Sequence, residues 1–87
     1  MVNPDEMAVV LNAVRNERYR QDEQWGGPQH DDGHTEDEWL RFIRVQQEHA
    51  EEIVEAGNAD WRAGVRGRLV KIAALAVAAV ESMDRRP

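Results

Sequence analysis

The sequence contains no cysteine, and its 87 residues include only one phenylalanine and one tyrosine. The absence of cysteine excludes disulfides, thiolate metal ligands and cysteine nucleophiles, and it favours a reducing compartment, so we expect a cytoplasmic protein. The longest apolar run, from Leu69 to Val80, is interrupted by Lys71 and is shorter than the roughly 20 residues that cross a bilayer. Asp5 and Glu6 stand where a signal peptide carries basic residues. We therefore expect no membrane partner.

Positive charge is scarce in the middle of the chain. Residues 22–60 carry twelve acidic and two basic side chains, whereas residues 61–87 carry two acidic and six basic side chains. The formal net charge is −6, which argues against general nucleic-acid binding because phosphate backbones select basic surfaces. An acidic segment beside a basic one indicates either pairing between two helix faces or a site for a cation and a polyanion.

The hydrophobic pattern is helical throughout, and no segment shows the alternation of a strand. Asn3 followed by Pro4 is typical of a helix start, and Thr35 with Glu38 forms a capping box for a second helix. Asp60 is the expected cap of a third helix. Residues 1–87 are thus predicted to form one all-α domain. The three helices are expected at about residues 4–22, 35–56 and 60–84, with a loop over 23–34.

The third predicted helix is apolar on more than one face. One stripe consists of Val65, Leu69, Ile72, Ala76, Ala79 and Met83, and the other of Val70, Ala73, Ala74, Val77 and Val80. Because a three-helix chain needs only one such face for its own core, we expect a homo-oligomer that packs through residues 65–83 into a four-helix or larger bundle. The alternative is a monomer in which this helix is central and covered by the other two.

Four glutamates on the second predicted helix are the main chemical candidates. Glu48, Glu51, Glu52 and Glu55 recur at i, i+3, i+4 and i+7 and therefore share one face. Stacked carboxylates repel one another, and a bound Mg²⁺ would relieve that repulsion because hard cations take oxygen ligands. A solvated acidic face is the competing interpretation.

The predicted loop over 23–34 carries further candidates. His30 and His34, with the neighbouring aspartates, have the side chains of a transition-metal site, although a glycine-containing loop gives them no fixed geometry. We expect Trp25 and Trp39 to be buried and to close one end of the bundle, rather than to stack on a nucleotide base. We also expect Trp25 to anchor the loop.

Four bases on the third predicted helix are candidates for phosphate binding. They are Arg62, Arg66, Arg68 and Lys71. Pairing with the acids of the second helix is the expected arrangement, because opposite charges on neighbouring helices attract each other.

Residues 17–86 contain a series of short motifs: Arg20-Gln21 ahead of Trp25-Gly26, then His30-Asp31, then Trp39 at a helix start and an alanine-rich final helix. In these motifs the segment resembles small MazG-like proteins of the all-α nucleoside triphosphate pyrophosphohydrolase superfamily, which are frequent in phage and bacterial genomes. The resemblance implies a helical dimer or tetramer that hydrolyses nucleoside triphosphates to monophosphate and pyrophosphate. It also implies Mg²⁺ held by an EExxE pattern on one helix and ExxD on the next.

The sequence departs from the family pattern at the metal ligands. EExxE is present over residues 51–55, but alignment on the final helix places the family's ExxD acids at Arg68 and Lys71. If the chain is a pyrophosphohydrolase, the four glutamates hold Mg²⁺ while these two bases contact the triphosphate. The alternative is a catalytically inactive oligomerisation or protein-interaction module on the same scaffold, since a fold does not fix a function.

Overall fold

The computed structural model describes residues 1–87 and contains four α-helices and no strand. The helices are α1 (Pro4–Trp25), α2 (Pro28–Asp31), α3 (Glu36–Ala56) and α4 (Trp61–Arg85). The all-α prediction is confirmed, and the predicted count of three helices is corrected. The first helix has no breaker until Gly26 and so continues to Trp25, while Pro28 opens a short helical turn inside the predicted loop.

Local capping explains where the helices begin and end. Asn3 Oδ1 accepts hydrogen bonds from the backbone N–H groups of Asp5 and Glu6, and the predicted capping box of Thr35 and Glu38 is present. α1 and α3 both end at glycines in the left-handed conformation, with φ of 105° at Gly26 and 65° at Gly57. Asp60 precedes α4, but its side chain makes none of the predicted capping bonds.

α4 is the central helix, because α3, α1 and α2 all pack against it. Its inner face is formed by small residues one turn apart, with Ala74, Ala78 and Ser82 at most 1 % exposed. Small side chains allow neighbouring helices to approach closely. α3 comes close to α4 at Gly64, where a Cβ atom would stand 3.2 Å from the Cγ2 atom of Ile53.

The buried hydrophobic core is small and consists of Val14, Trp39, Ala74 and Ala78. The outer face of α4 exposes four large apolar residues: Leu69, Val77, Val80 and Met83 are each between 43 % and 56 % exposed. The helix is apolar on an inner and an outer face, but these are not the two predicted stripes: Leu69 and Met83 come from the first stripe and Val77 and Val80 from the second. Ala74, from the second stripe, lies inside the chain. None of the four helices has the length and hydropathy needed to cross a bilayer.

Candidate functional site

All four helices contribute to a cleft of about 550 Å³. This main cleft lies between an aromatic wall and a group of basic side chains. Its polar lining residues are Arg18, Arg20, Gln21, Gln24, His30, Asp31, His34, Gln46 and Lys71. The size is within the range of small-molecule sites, which are concave and carry a few convergent polar groups.

The aromatic wall contains both tryptophans named from the sequence. Trp39 is buried, as predicted, and its indole N–H has no hydrogen-bond partner. Trp25 was expected to be buried but is 56 % exposed, because Gly26 ends α1 directly after it and leaves the ring at the cleft rim. One face of Trp25 stacks on His30, with ring centroids 5.9 Å apart and an interplanar angle of 21°.

The charge of Arg18 is matched within the protein. Its guanidinium contacts Asp22 at 3.1 Å, Glu81 at 3.2 Å and Asp31 at 3.6 Å. Asp22 lies on α1, Asp31 on α2 and Glu81 on α4, so this one side chain connects three helices. We conclude that Arg18 holds the cleft together rather than offering a positive charge to a ligand.

Arg20 is paired with a carboxylate one turn earlier on α1. Its Nη2 atom lies 2.6 Å from Oε2 of Glu17, and Nε2 of Gln21 also donates to Glu17 at 3.3 Å. The hydrogen bond from Arg20 is the main reason that the pKa of Glu17 falls below its ordinary value, and the positive charge of Lys71 lowers it further. Glu17 is therefore ionised beside the cleft at neutral pH.

Lys71 is the only lysine of the chain and a half-buried residue of the cleft wall. No carboxylate lies within 4.0 Å of its ammonium group, and it makes no hydrogen bond. The other two cations of the cleft, Arg18 and Arg20, both form salt bridges. Lys71 is thus the cleft cation whose charge is least matched by the protein itself.

The segment after α1 is held by the end of α4. Asp32 accepts hydrogen bonds from Arg85 at 2.7 Å and from the Ser82 hydroxyl at 3.0 Å, and Arg86 donates to the His34 carbonyl at 3.0 Å. The Arg85 hydrogen bond holds the pKa of Asp32 below its usual value. The expected anchor, Trp25, is not the main one: this polar clamp and the packing of His34 keep the segment in place.

The four glutamates named as metal ligands lie outside the cleft. All are exposed on α3, and none lines the main cleft. Glu52 borders a second, more open hollow of about 500 Å³, which it shares with Arg68. No three histidine, aspartate or glutamate side chains are grouped closely enough to hold a metal ion. None of the four glutamates therefore lines the cleft with Lys71, and Arg68 borders the second hollow rather than the main cleft.

The predicted pairing between the bases of α4 and the acids of α3 is wrong. Neither Lys71 nor any of the three arginines at 62, 66 and 68 forms a salt bridge. Arg68 instead donates to the side-chain oxygen of Gln46 at 2.8 Å. The two helices carry net charges of opposite sign, but the rotation of each helix about its own axis decides which side chains meet.

Arg18, Gln24 and Gln46 line the cleft and were not singled out from the sequence. Nor were Glu17, Ser82 and Arg85, which hydrogen-bond to residues in or next to the cleft lining. A partial signal existed, since Glu17 and Gln21 are one turn apart and Ser82 continues the spacing of Ala74 and Ala78. Comparison of the chain with protein-family models, with curated proteins and with solved structures finds no match.

Proposed function

We propose that this chain is a MazG-like nucleotide-binding protein that takes a nucleoside triphosphate in the main cleft. The observation that supports this most directly is that Lys71, a cation without a salt bridge, lines the same cleft as the exposed ring of Trp25. A base could stack on the free face of Trp25, while Lys71 attracts the phosphates. The half-exposed position of Trp25 suits this role better than the bundle-closing role expected from the sequence.

Hydrolysis to monophosphate and pyrophosphate with Mg²⁺ is the second part of this proposal, and it rests on the sequence resemblance. Glu48, Glu51, Glu52 and Glu55 are the Mg²⁺ ligands that the resemblance implies. In the structure no three of them are grouped closely enough to hold a metal ion, and all four lie outside the main cleft, so this part of the proposal rests on the sequence pattern alone. Arg68 shares the second hollow with Glu52. In this reaction the metal would neutralise phosphate charge and activate a water molecule. A cytoplasmic location and a homo-oligomer belong to the same proposal.

The binding step is tested by titrating the protein with canonical and deoxy nucleoside triphosphates while tryptophan fluorescence is followed. Lys71→Gln should weaken binding at least tenfold, and Trp25→Leu should remove most of the fluorescence response. Arg66→Gln removes one exposed positive charge from the same helix outside the cleft and is the matched control. Equal weakening by Lys71→Gln and Arg66→Gln would show only a general charge effect and would contradict binding in the cleft.

The metal and the reaction are tested separately. Calorimetry with Mg²⁺ and Mn²⁺ should show binding that the double variant Glu51→Gln, Glu55→Gln abolishes. A pyrophosphate-release screen over the same nucleotides should show activity that the double variant lacks. If the parent gives no metal signal and the double variant melts at a higher temperature, the four glutamates form a repulsive surface and no metal site.

A catalytically inactive oligomerisation or protein-interaction module is the second candidate function. Two observations favour it: the outer face of α4 exposes several large apolar residues, and bases occupy the aligned ExxD positions at Arg68 and Lys71. This alternative predicts a stable oligomer that neither binds nucleotide in the fluorescence titration nor releases pyrophosphate. The same two assays therefore distinguish the two functions.

A further inference from the structure

The ring nitrogens of two histidines lie close together: His30 is within α2, and His34 lies three residues after the end of that helix. The Nε2 atoms of His30 and His34 are 3.4 Å apart, and the two rings meet edge to face with centroids 4.6 Å apart. This separation exceeds the usual range of a hydrogen bond. It matches two nitrogens on one tetrahedral Zn²⁺, because Zn–N bonds of about 2.0–2.1 Å place such nitrogens roughly 3.3–3.4 Å apart.

The other nitrogen of each ring lies beside a carboxylate. Nδ1 of His34 is 3.4 Å from Oε2 of Glu38, and Nδ1 of His30, which has no hydrogen-bond partner, is 3.5 Å from Oδ1 of Asp31. A carboxylate near Nδ1 favours the tautomer with its proton there and leaves the Nε2 lone pair free. With both rings in this tautomer, no proton lies between the two Nε2 atoms. Metal-binding histidines commonly have such a carboxylate partner.

Aromatic contacts hold the two histidine rings in place. The His34 ring packs edge to face on Trp39 and on Phe42, with centroid distances of 5.3 and 5.0 Å, and His30 stacks on Trp25. Both histidines line the main cleft. Because no third histidine, aspartate or glutamate completes the group, a bound metal would keep positions open to water or to a ligand in the cleft.

We propose that His30 and His34 form a two-histidine site for a divalent transition metal, with Zn²⁺ as its representative ion. Imidazole nitrogen suits Zn²⁺, Cu²⁺ and Ni²⁺, whereas Mg²⁺ prefers oxygen ligands. The site is therefore distinct in place and chemistry from the Mg²⁺ ligands proposed on α3. It depends neither on nucleotide binding nor on hydrolysis.

The test is calorimetric titration of Zn²⁺ into untagged, metal-stripped protein in the absence of nucleotide. We expect one Zn²⁺ per chain, with affinity reduced at least tenfold by His30→Gln and by His34→Gln. Glu38→Gln keeps a residue that suits the capping box but replaces the carboxylate at His34, so it should weaken binding by roughly tenfold. His49→Gln, which removes the third histidine of the chain, is the matched control and should bind as the parent does.

NMR of the parent protein provides a readout that does not depend on variant folding. Zn²⁺ should shift the Nε2 resonances of His30 and His34 and leave those of His49 in place, whereas Mg²⁺ should shift none of the three. The proposal is overturned if Zn²⁺ does not bind. It is also overturned if both histidine variants bind as the parent does, or if His49→Gln weakens binding as much as they do.

Discussion

At the scale of single residues, the two tryptophans of the cleft wall should differ sharply in their contribution to stability. Trp39 is 4 % exposed, and its replacement by alanine should lower the free energy of unfolding by roughly 3–5 kcal/mol. Trp25 is 56 % exposed and stacks on one histidine, so Trp25→Ala should cost about 1 kcal/mol or less. Urea unfolding of the two variants measures both values. Equal costs would show that Trp25 is buried, which would also remove its proposed role in stacking on a base.

The ion pair between Glu17 and Arg20 should make a pH-dependent contribution to stability. Because Arg20 lowers the folded-state pKa of Glu17, the pair stabilises the fold above the ordinary glutamate pKa of about 4.3, and this stabilisation is lost as the pH falls through the lower folded-state value. Glu17→Gln should therefore lower the melting temperature at pH 6 and have a smaller effect near pH 3. Glu23→Gln, an exposed position on the same helix, is the control. If Glu17→Gln lowers the melting temperature by the same amount at pH 6 and near pH 3, the ion pair with Arg20 is not the source of the pH dependence.

At the scale of the helices, the predictable features were those set by neighbouring residues. Asn3 and the Thr35–Glu38 box cap helices through bonds within a few residues, so the sequence was sufficient to locate them. The orientation of α3 about its axis depends instead on packing against α4. Spacing alone therefore put the four glutamates on one face, but it did not show that this face lies outside the cleft.

The position of the α2 segment could not be predicted from the local sequence either. Its histidines and Trp25 were identified as candidates because of their chemistry. Their arrangement depends on Ser82, Arg85 and Arg86, which are about fifty residues away in sequence. The turn after α2, in which the Gly33 N–H donates to the His30 carbonyl and the His34 N–H to the Asp31 carbonyl, brings the Nε2 atoms of His30 and His34 within 3.4 Å, and the long-range contacts fix this turn against α4.

Two glycines inside α4 should respond differently to the same substitution. A Cβ atom at Gly67 would meet nothing within 4 Å, so Gly67→Ala should raise the free energy of unfolding by roughly 0.5–1 kcal/mol through helix propensity. Gly64→Ala gains the same propensity but places a Cβ atom 3.2 Å from Ile53. Gly64→Ala should therefore raise the free energy of unfolding by less than Gly67→Ala does, or lower it. Chemical denaturation compares the two, and a larger gain at Gly64 would contradict the close approach of α3 and α4.

At the scale of the whole molecule, the exposed apolar face of α4 is the expected contact with a second copy. Val80 is 56 % exposed in the centre of that face, so Val80→Glu should introduce an unpaired carboxylate into the subunit contact without disturbing the chain's own core. Ala74→Glu is less informative, because Ala74 is fully buried within one chain and its replacement would unfold it.

Light scattering coupled to size exclusion should show an oligomer for the parent chain and a smaller species for Val80→Glu, with the helical content largely retained. Val54→Glu is the matched control, since Val54 is 52 % exposed on α3 and lies away from the outer face of α4. It should leave the mass unchanged. A parent that remains monomeric at high micromolar concentration would contradict the oligomer directly. It would also weaken the proposed pyrophosphohydrolase activity, because the resemblance implies active sites built within dimers or tetramers.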